Sequence, residues 1–230
     1  MQSAIVTGAS RGIGEACVKT LLKRKYKVFA IARDFSTLQT EDENLIKIEA
    51  NLTDSKEILS LSKKIDKNLK ILINNAGVGY FGMHEDIGFE KIEEMIDLNL
   101  KAPILLSKIF LRTLKKNKGY IFNINSISAI KPAFFGAVYG ATKAGLRHFG
   151  KSIFYEGRKN HIKVVNINPD ITKTPFFKNL NFSYSEDPKS YIEPAQIAKL
   201  IENILDLGDN VVITDITIEP QKFKIVKKNL

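Results

Sequence analysis

The chain has 230 residues, of which 44% are hydrophobic and 26% charged, with a formal net charge of +10; this is enough to bury a core in one large or two small domains of globular composition. No apolar run approaches the roughly 20 residues of a membrane-crossing helix, and one cysteine, Cys17, excludes a disulfide framework. The basic residues are scattered as pairs and triplets, without the aromatic interleaving of a single-strand nucleic-acid binder, and His84, His148 and His161 are too dispersed to hold a metal.

In chain order, short apolar runs alternate with stretches of helical period. Ser3 to Thr7 reads as a buried strand, followed by a helix over Gly12 to Lys25 and strands over Lys27 to Ile31 and Ile46 to Ala50. Ser55 to Lys67 reads as a helix, Ile71 to Asn74 as a strand, Phe89 to Lys115 as one long helix and Tyr120 to Asn125 as a strand. Ala137 to Lys159 is a second long helix, then come a strand over Lys163 to Ile167, a helix over Pro194 to Leu207 and a last strand over Val211 to Ile216. The alternation predicts an α/β fold of Rossmann type, a doubly wound sheet of seven parallel strands with helices on both faces. No repeat or linker divides the sequence, so one domain is expected over 1–230. Met1-Gln2-Ser3 leaves no room for a signal peptide before the first strand, and a reducing cytoplasm is the expected setting, with no nucleic-acid or membrane partner.

Thr7-Gly8-Ala9-Ser10-Arg11-Gly12-Ile13-Gly14 joins the first strand to the first helix. Its glycines supply a tight turn, close backbone approach and packing of helix on sheet, and a pyrophosphate would rest on the N–H groups and positive dipole end of that helix. The second strand ends Ile31-Ala32-Arg33, without the acidic residue that accepts from the ribose 2′-OH of NAD; an arginine accommodates a 2′-phosphate instead. With Arg11 as a second cation and Asp34 expected to face solvent, NADP(H) is predicted over NAD(H). Asn74-Asn75-Ala76-Gly77 ends the fourth strand at the sheet's carboxyl edge, where open α/β sheets bind ligands.

Two Tyr-x-x-x-Lys pairs occur, Tyr139 with Lys143 and Tyr155 with Lys159, where chance alone supplies roughly one in a lysine-rich chain. Each puts phenol and ammonium on one helix face. Ser126, at the end of a strand, can converge on Tyr139 through the intervening loop. The equivalent position before Tyr155 is Thr142, on the same helix and about 20 Å away at 1.5 Å per residue, so Tyr155 is read as a packing residue.

In this order the four motifs resemble the short-chain dehydrogenase/reductase family, and the resemblance runs from Ser3 to about Pro220. It implies hydride transfer between NAD(P) and a carbonyl or alcohol. Tyr139 is then the acid–base group, Lys143 and the oxidised nicotinamide draw its pKa down, Ser126 holds the substrate oxygen, and Asn99 holds a water that relays protons to the lysine. The same resemblance assigns the cofactor to Gly8, Ser10, Arg11, Gly12, Ile13, Gly14, Arg33, Asn51 and Leu52 at the adenine, Asn75, Ala76, Gly77, and Tyr139 with Lys143. Pro169, the backbone of Thr172, and Thr174 fall beside the nicotinamide, with Asp170 in place of a family glycine.

The substrate pocket is expected between Val78 to Phe81, Ile127 to Phe135 and a lid near 175–192 bearing Phe176, Phe177, Phe182 and Tyr184. The ending Val211 to Gln221 looks like members that oxidise 3-hydroxy acids and β-hydroxy amino acids, with Lys131, Lys173 or Lys178 available to a carboxylate. Reduction of a ketone or of a 3-oxoacyl group, including one on acyl carrier protein, is the second reading, and an NADP-sensing regulator the non-enzymatic one. A homodimer or homotetramer through the two long helices is expected, the second offering Leu146, Phe149, Ile153 and Phe154.

Overall fold

Seven strands form one parallel sheet in the computed structural model, which describes residues 1–228. The strands are β1 (Ser3–Thr7), β2 (Lys27–Ala32), β3 (Leu45–Glu49), β4 (Leu69–Asn74), β5 (Tyr120–Ile124), β6 (Lys163–Pro169) and β8 (Asp215–Ile218), in the order β3-β2-β1-β4-β5-β6-β8. The helices are α1 (Gly12–Lys23), α2 (Ser55–Ser60), α3 (Phe89–Ile96), α4 (Ala102–Lys116), α5 (Ala137–Gly157) and α6 (Pro194–Leu205). The expected doubly wound Rossmann architecture is therefore present.

Period-two alternation divides the core. Ala4, Val6 and Phe122 meet Cys17, Val18 and Leu21 of α1 and Ile197 and Ile201 of α6 on one face. Ile5, Phe29 and Ile121 meet Ile58 of α2 and Leu106 and Phe110 of α4 on the other. With both faces covered, every residue of β1 and β5 is buried, as parallel sheets require. Cys17 lies inside this core, and burial pushes its thiol up to about 12, which leaves it unreactive.

Four expectations need correction. The helix over Phe89 to Lys115 is broken by a π-helical turn at Asp97–Lys101. The helix from Ser55 ends at Ser60 and tightens into a 3₁₀ turn at Leu61–Lys63. The last sheet strand begins at Asp215 rather than Val211 because its register with β6 begins at Asn166↔Asp215; pairing, not the branched side chains of Val211 to Ile213, sets its start. Finally, β7 (Phe182–Tyr184) and β9 (Ile225–Lys227) form a small antiparallel pair that the sequence did not predict.

Candidate active site

The carboxyl ends of β1, β4, β5 and β6 open on a cleft of about 1180 Å³, ample for a dinucleotide beside a small substrate. It lies where strand order reverses between β1 and β4, the switch point of such sheets. Gly8 and Gly12 have φ of +61° and +60°, a region glycine enters without a Cβ penalty. A Cβ on Gly14 would stand 2.1 Å from the Gly8 carbonyl oxygen and 2.7 Å from Asn75 Nδ2. Only a glycine lets α1 begin this close to the sheet. The first turn of α1 carries no side-chain cap, so its N–H groups suit a phosphate. Ser10, Arg11 and Ile13 line the cleft there, and Thr174 packs over Gly12, 3.1 Å from where a Cβ would be.

Thr7, the first residue of the glycine motif, fastens this loop to the Asn75-Ala76-Gly77 segment. Its hydroxyl accepts from the N–H groups of Asn75 (2.9 Å) and Ala76 (3.0 Å). Asn75 Nδ2 returns hydrogen bonds to the carbonyls of Thr7 (2.9 Å) and Gly8 (3.1 Å). Asn75 thus braces the turn, and with Ala76 and Gly77 it lines the cleft.

At the far end, Arg33, Asn51, Leu52 and Leu98 line one compartment. Asn51 Oδ1 accepts from the N–H (3.1 Å) and hydroxyl (2.9 Å) of Thr53, so its amide N–H₂ is the group left for a ligand. Asp34 is exposed but also lines the cleft beside Arg33, where the sequence had placed it in solvent; its carboxylate accepts from Ser36, which holds its pKa low. Arg33 points at Glu94 of α3, Nη1 to Oε1 3.4 Å, and the Tyr80 hydroxyl donates to the other oxygen of Glu94. That bond, aided by burial, pushes the Tyr80 phenol up to about 12. Nothing local in the sequence marks Glu94 or Tyr80 for this contact.

Ser126, Tyr139 and Lys143 come together in the middle of the cleft, with 9%, 8% and 4% of their surfaces exposed. Ser126 caps a 3₁₀ turn at Ile127–Ala129 and accepts from the Ser128 N–H, which aims its hydroxyl at Tyr139. Lys143, one turn beyond Tyr139 on α5, donates to the carbonyl of Ile124 (2.9 Å), and its Nζ is 5.8 Å from the centre of the Tyr139 ring. Burial pushes Lys143 down to about 8 and Tyr139 up to about 12. Burial dominates at the phenol, and the neighbouring Ser126 hydroxyl acts against it.

Asn99 is fully buried in the π turn. Its Oδ1 accepts from the Val78 N–H (2.9 Å), while Nδ2 donates to the Val78 carbonyl (2.8 Å) and to Thr142 Oγ1 (3.2 Å). The turn follows from Pro103, which has no N–H to give to the carbonyl four residues back, that of Asn99; the Ala102 N–H bonds Asp97 instead. A proline inside a helical pattern was the available sign of this break. The second Tyr-x-x-x-Lys pair lies elsewhere: Tyr155 is 69% exposed, contrary to the packing role expected, and Lys159 falls in the 3₁₀ turn after α5.

The walls beyond Tyr139 are aromatic. Phe81 and Phe176 flank its ring at 5.2 and 5.9 Å between centroids, and Phe182 meets Phe81 edge-on at 5.1 Å. Phe223 and Ile225, beside and within β9, also line the cleft; Phe135 and Tyr184 lie outside it. Of the three candidate lysines, Lys178 lines the cleft, Lys131 lines it but is held by both oxygens of Glu219 at 3.1 Å, and Lys173 turns away onto the rings of Tyr184 and Tyr191. Asp170 and Glu219 join Lys131 along that wall, and burial raises the Asp170 carboxyl. Pro169 and Thr172 also line the cleft. Thr172 bridges to Ile192 through its neighbours' backbone groups, so its own N–H and C=O point away from that bridge.

Among known proteins, the family model for short chain dehydrogenase matches residues 2–184. An uncharacterized oxidoreductase of Staphylococcus epidermidis is 29% identical over 225 residues, covering 94% of this chain and 96% of that one. A metagenomic short-chain oxidoreductase in complex with NADP is 29% identical with a TM-score of 0.81, covering 95% and 96% of the two chains. A 4-hydroxyisoleucine dehydrogenase complexed with NADH and succinate is 28% identical with a TM-score of 0.82, covering 94% and 97%. With the match running over most of the chain and the fold agreeing throughout, this oxidoreductase belongs to the short-chain dehydrogenase family.

Proposed function

We propose that this protein is an NADP(H)-dependent enzyme exchanging hydride between the nicotinamide and a carbonyl or secondary alcohol. The observation that carries the reading is the convergence of Ser126, Tyr139 and Lys143 in the cleft that the glycine loop opens. The residues fit such a cofactor: α1 offers uncapped N–H groups, and the close approach of Gly14 to Gly8 leaves the loop backbone open to a pyrophosphate. Gly8, Ser10 to Gly14, Arg33, Asn51, Leu52, Asn75, Ala76, Gly77, Tyr139, Lys143, Pro169, Thr172 and Thr174 are the candidates to hold it. The nicotinamide supplies hydride exchange at its C4.

Tyr139 then gives its phenolic proton to the carbonyl oxygen in reduction, or takes the alcohol proton in oxidation, while Ser126 donates to the same oxygen and steadies its charge. In oxidation the phenol must first lose a proton that burial holds up to about 12. Positive charge beside it favours the phenolate, and Lys143, buried with no carboxylate partner among the described residues, is the cation this chain provides. Asn99 and the carbonyl that Pro103 leaves without a helical donor are placed to hold a proton-relaying water.

For substrate we propose a small 3-hydroxy acid or β-hydroxy amino acid. Lys178, Lys131, Asp170 and Glu219 offer both signs of charge, and the similarity to a 4-hydroxyisoleucine dehydrogenase supports a hydroxylated amino acid in general, its hydroxyl there lying on the γ rather than the β carbon. The aromatic wall of Phe81, Phe176 and Phe182 favours a second reading, reduction of a ketone or 3-oxoacyl group. One domain over 1–230, with residues 175–192 as a lid, completes the proposal, together with a homodimer or homotetramer packed on α4 and α5. Leu146 is buried in the fold itself, so Phe149, Ile153 and Phe154 remain to such an interface.

The test is reduction of NADP⁺, with NAD⁺ in parallel, against 3-hydroxy acids and β-hydroxy amino acids, then NADPH oxidation with ketones and 3-oxoacyl thioesters. Turnover lost in Tyr139→Phe with cofactor binding retained is the expected result. Turnover surviving that change removes Tyr139 from the role, and silence on every substrate returns the reading to a cofactor sensor.

A further inference from the structure

The adenosine end of the cleft carries two cations and two anions in pairs. Arg11 lies close enough to Asp34 to help lower its carboxyl, and Arg33 faces Glu94 at 3.4 Å. The second pair spans the cleft, one partner at the end of β2 and the other on α3. Glu94 is not free to swing aside, because the Tyr80 hydroxyl holds its other oxygen and Lys91 packs over the Tyr80 ring at 5.5 Å. Arg33, by contrast, is 64% exposed and joined at one nitrogen only.

We propose that Glu94 is a positioning residue that sets cofactor preference: it holds Arg33 across the adenosine compartment and competes with a 2′-phosphate for the guanidinium. This rests on the reading above that Arg33 serves the 2′-phosphate. A cofactor with a free 2′-OH leaves the Arg33–Glu94 pair intact, whereas one with a 2′-phosphate must draw Arg33 away from a fixed carboxylate. The preference for NADP(H) is thereby tempered, and NAD(H) remains an accepted ligand of the same site.

The experiment is fluorescence titration of NADPH and of NADH into the wild type, Glu94→Gln, Arg33→Ala and the double variant. Glu94→Gln keeps the side chain's shape and its bond with Tyr80 but removes the charge. NADPH binding should tighten about threefold to fivefold, the upper part of the range of an exposed ion pair, with NADH within twofold of wild type. In the Arg33→Ala background the same change should do nothing. Unchanged or weaker NADPH binding in Glu94→Gln overturns the proposal, as does a gain that persists without Arg33, which would mean direct repulsion of the phosphate. If Arg33→Ala itself leaves the NADPH to NADH ratio unchanged, the assignment of Arg33 fails instead, whatever Glu94 does.

Discussion

Lys143 places a charge in the core with no counter-charge among the described residues, and this makes the stability of the fold depend on pH. Its ammonium donates to the Ile124 carbonyl, and burial alone accounts for its fall from 10.5 to about 8. Between those values the unfolded chain binds a proton that the folded chain releases, so stability rises with pH through that window. Below about 8 both states are protonated and the full penalty stands, about 3 kcal/mol at 1.36 kcal/mol per tenfold. By pH 10 it falls under about 1 kcal/mol. Replacing Lys143 with Met removes the titration and leaves a pH-independent loss of one hydrogen bond. The variant should therefore gain on the wild type by about 2 kcal/mol more at pH 7.5 than at pH 10, equivalent to about 4 to 8 °C in Tm for a chain of this size. Urea unfolding of the cofactor-free proteins at the two pH values measures this, and other groups cancel in the difference. A difference that does not change with pH would refute the claim that Lys143 is held partly discharged by its burial. The same charge is what the chemistry uses, a stability–function conflict common at active sites.

Further outcomes follow from single contacts. Gly14→Ala puts a methyl 2.1 Å from the Gly8 oxygen; relief requires α1 to move by about 1 Å, at about 1–3 kcal/mol of overpacking, and calorimetry should show a lower Tm together with weakened NADPH binding. A Tm equal to wild type would mean that the loop is more pliant than its geometry implies. Pro103→Ala restores a donor for the Asn99 carbonyl, so kcat should fall several-fold while thermal stability is maintained or rises; unchanged turnover would separate Asn99 from the proton path. Val226→Pro removes a ladder bond between β9 and β7 at the Ser183↔Val226 pair. Because Phe223 and Ile225 are carried on that segment, KM should rise several-fold, and an unchanged KM would take the segment out of the substrate wall.

The sequence determined the fold class and the motif set because both are local. Buried parallel strands need unbroken apolar runs, and Gly8, Gly12 and Gly14 answer backbone demands that no other residue meets. Spacing also separated Tyr139 from Tyr155, since a strand end and a helix can converge while two points on one helix cannot. The break at Asn99 was legible in Pro103 but overridden by the strong helical period around it. Tertiary structure alone decided what depends on residues far apart in the chain. Glu94 meets Arg33 across 61 positions, and Lys131 meets Glu219 across 88. The pairing of β9 with β7 brings residues near the C-terminus onto the substrate wall. The protonation of Tyr139 and Lys143 belongs to the same class, because burial is a property of everything packed around a group rather than of its place in a motif.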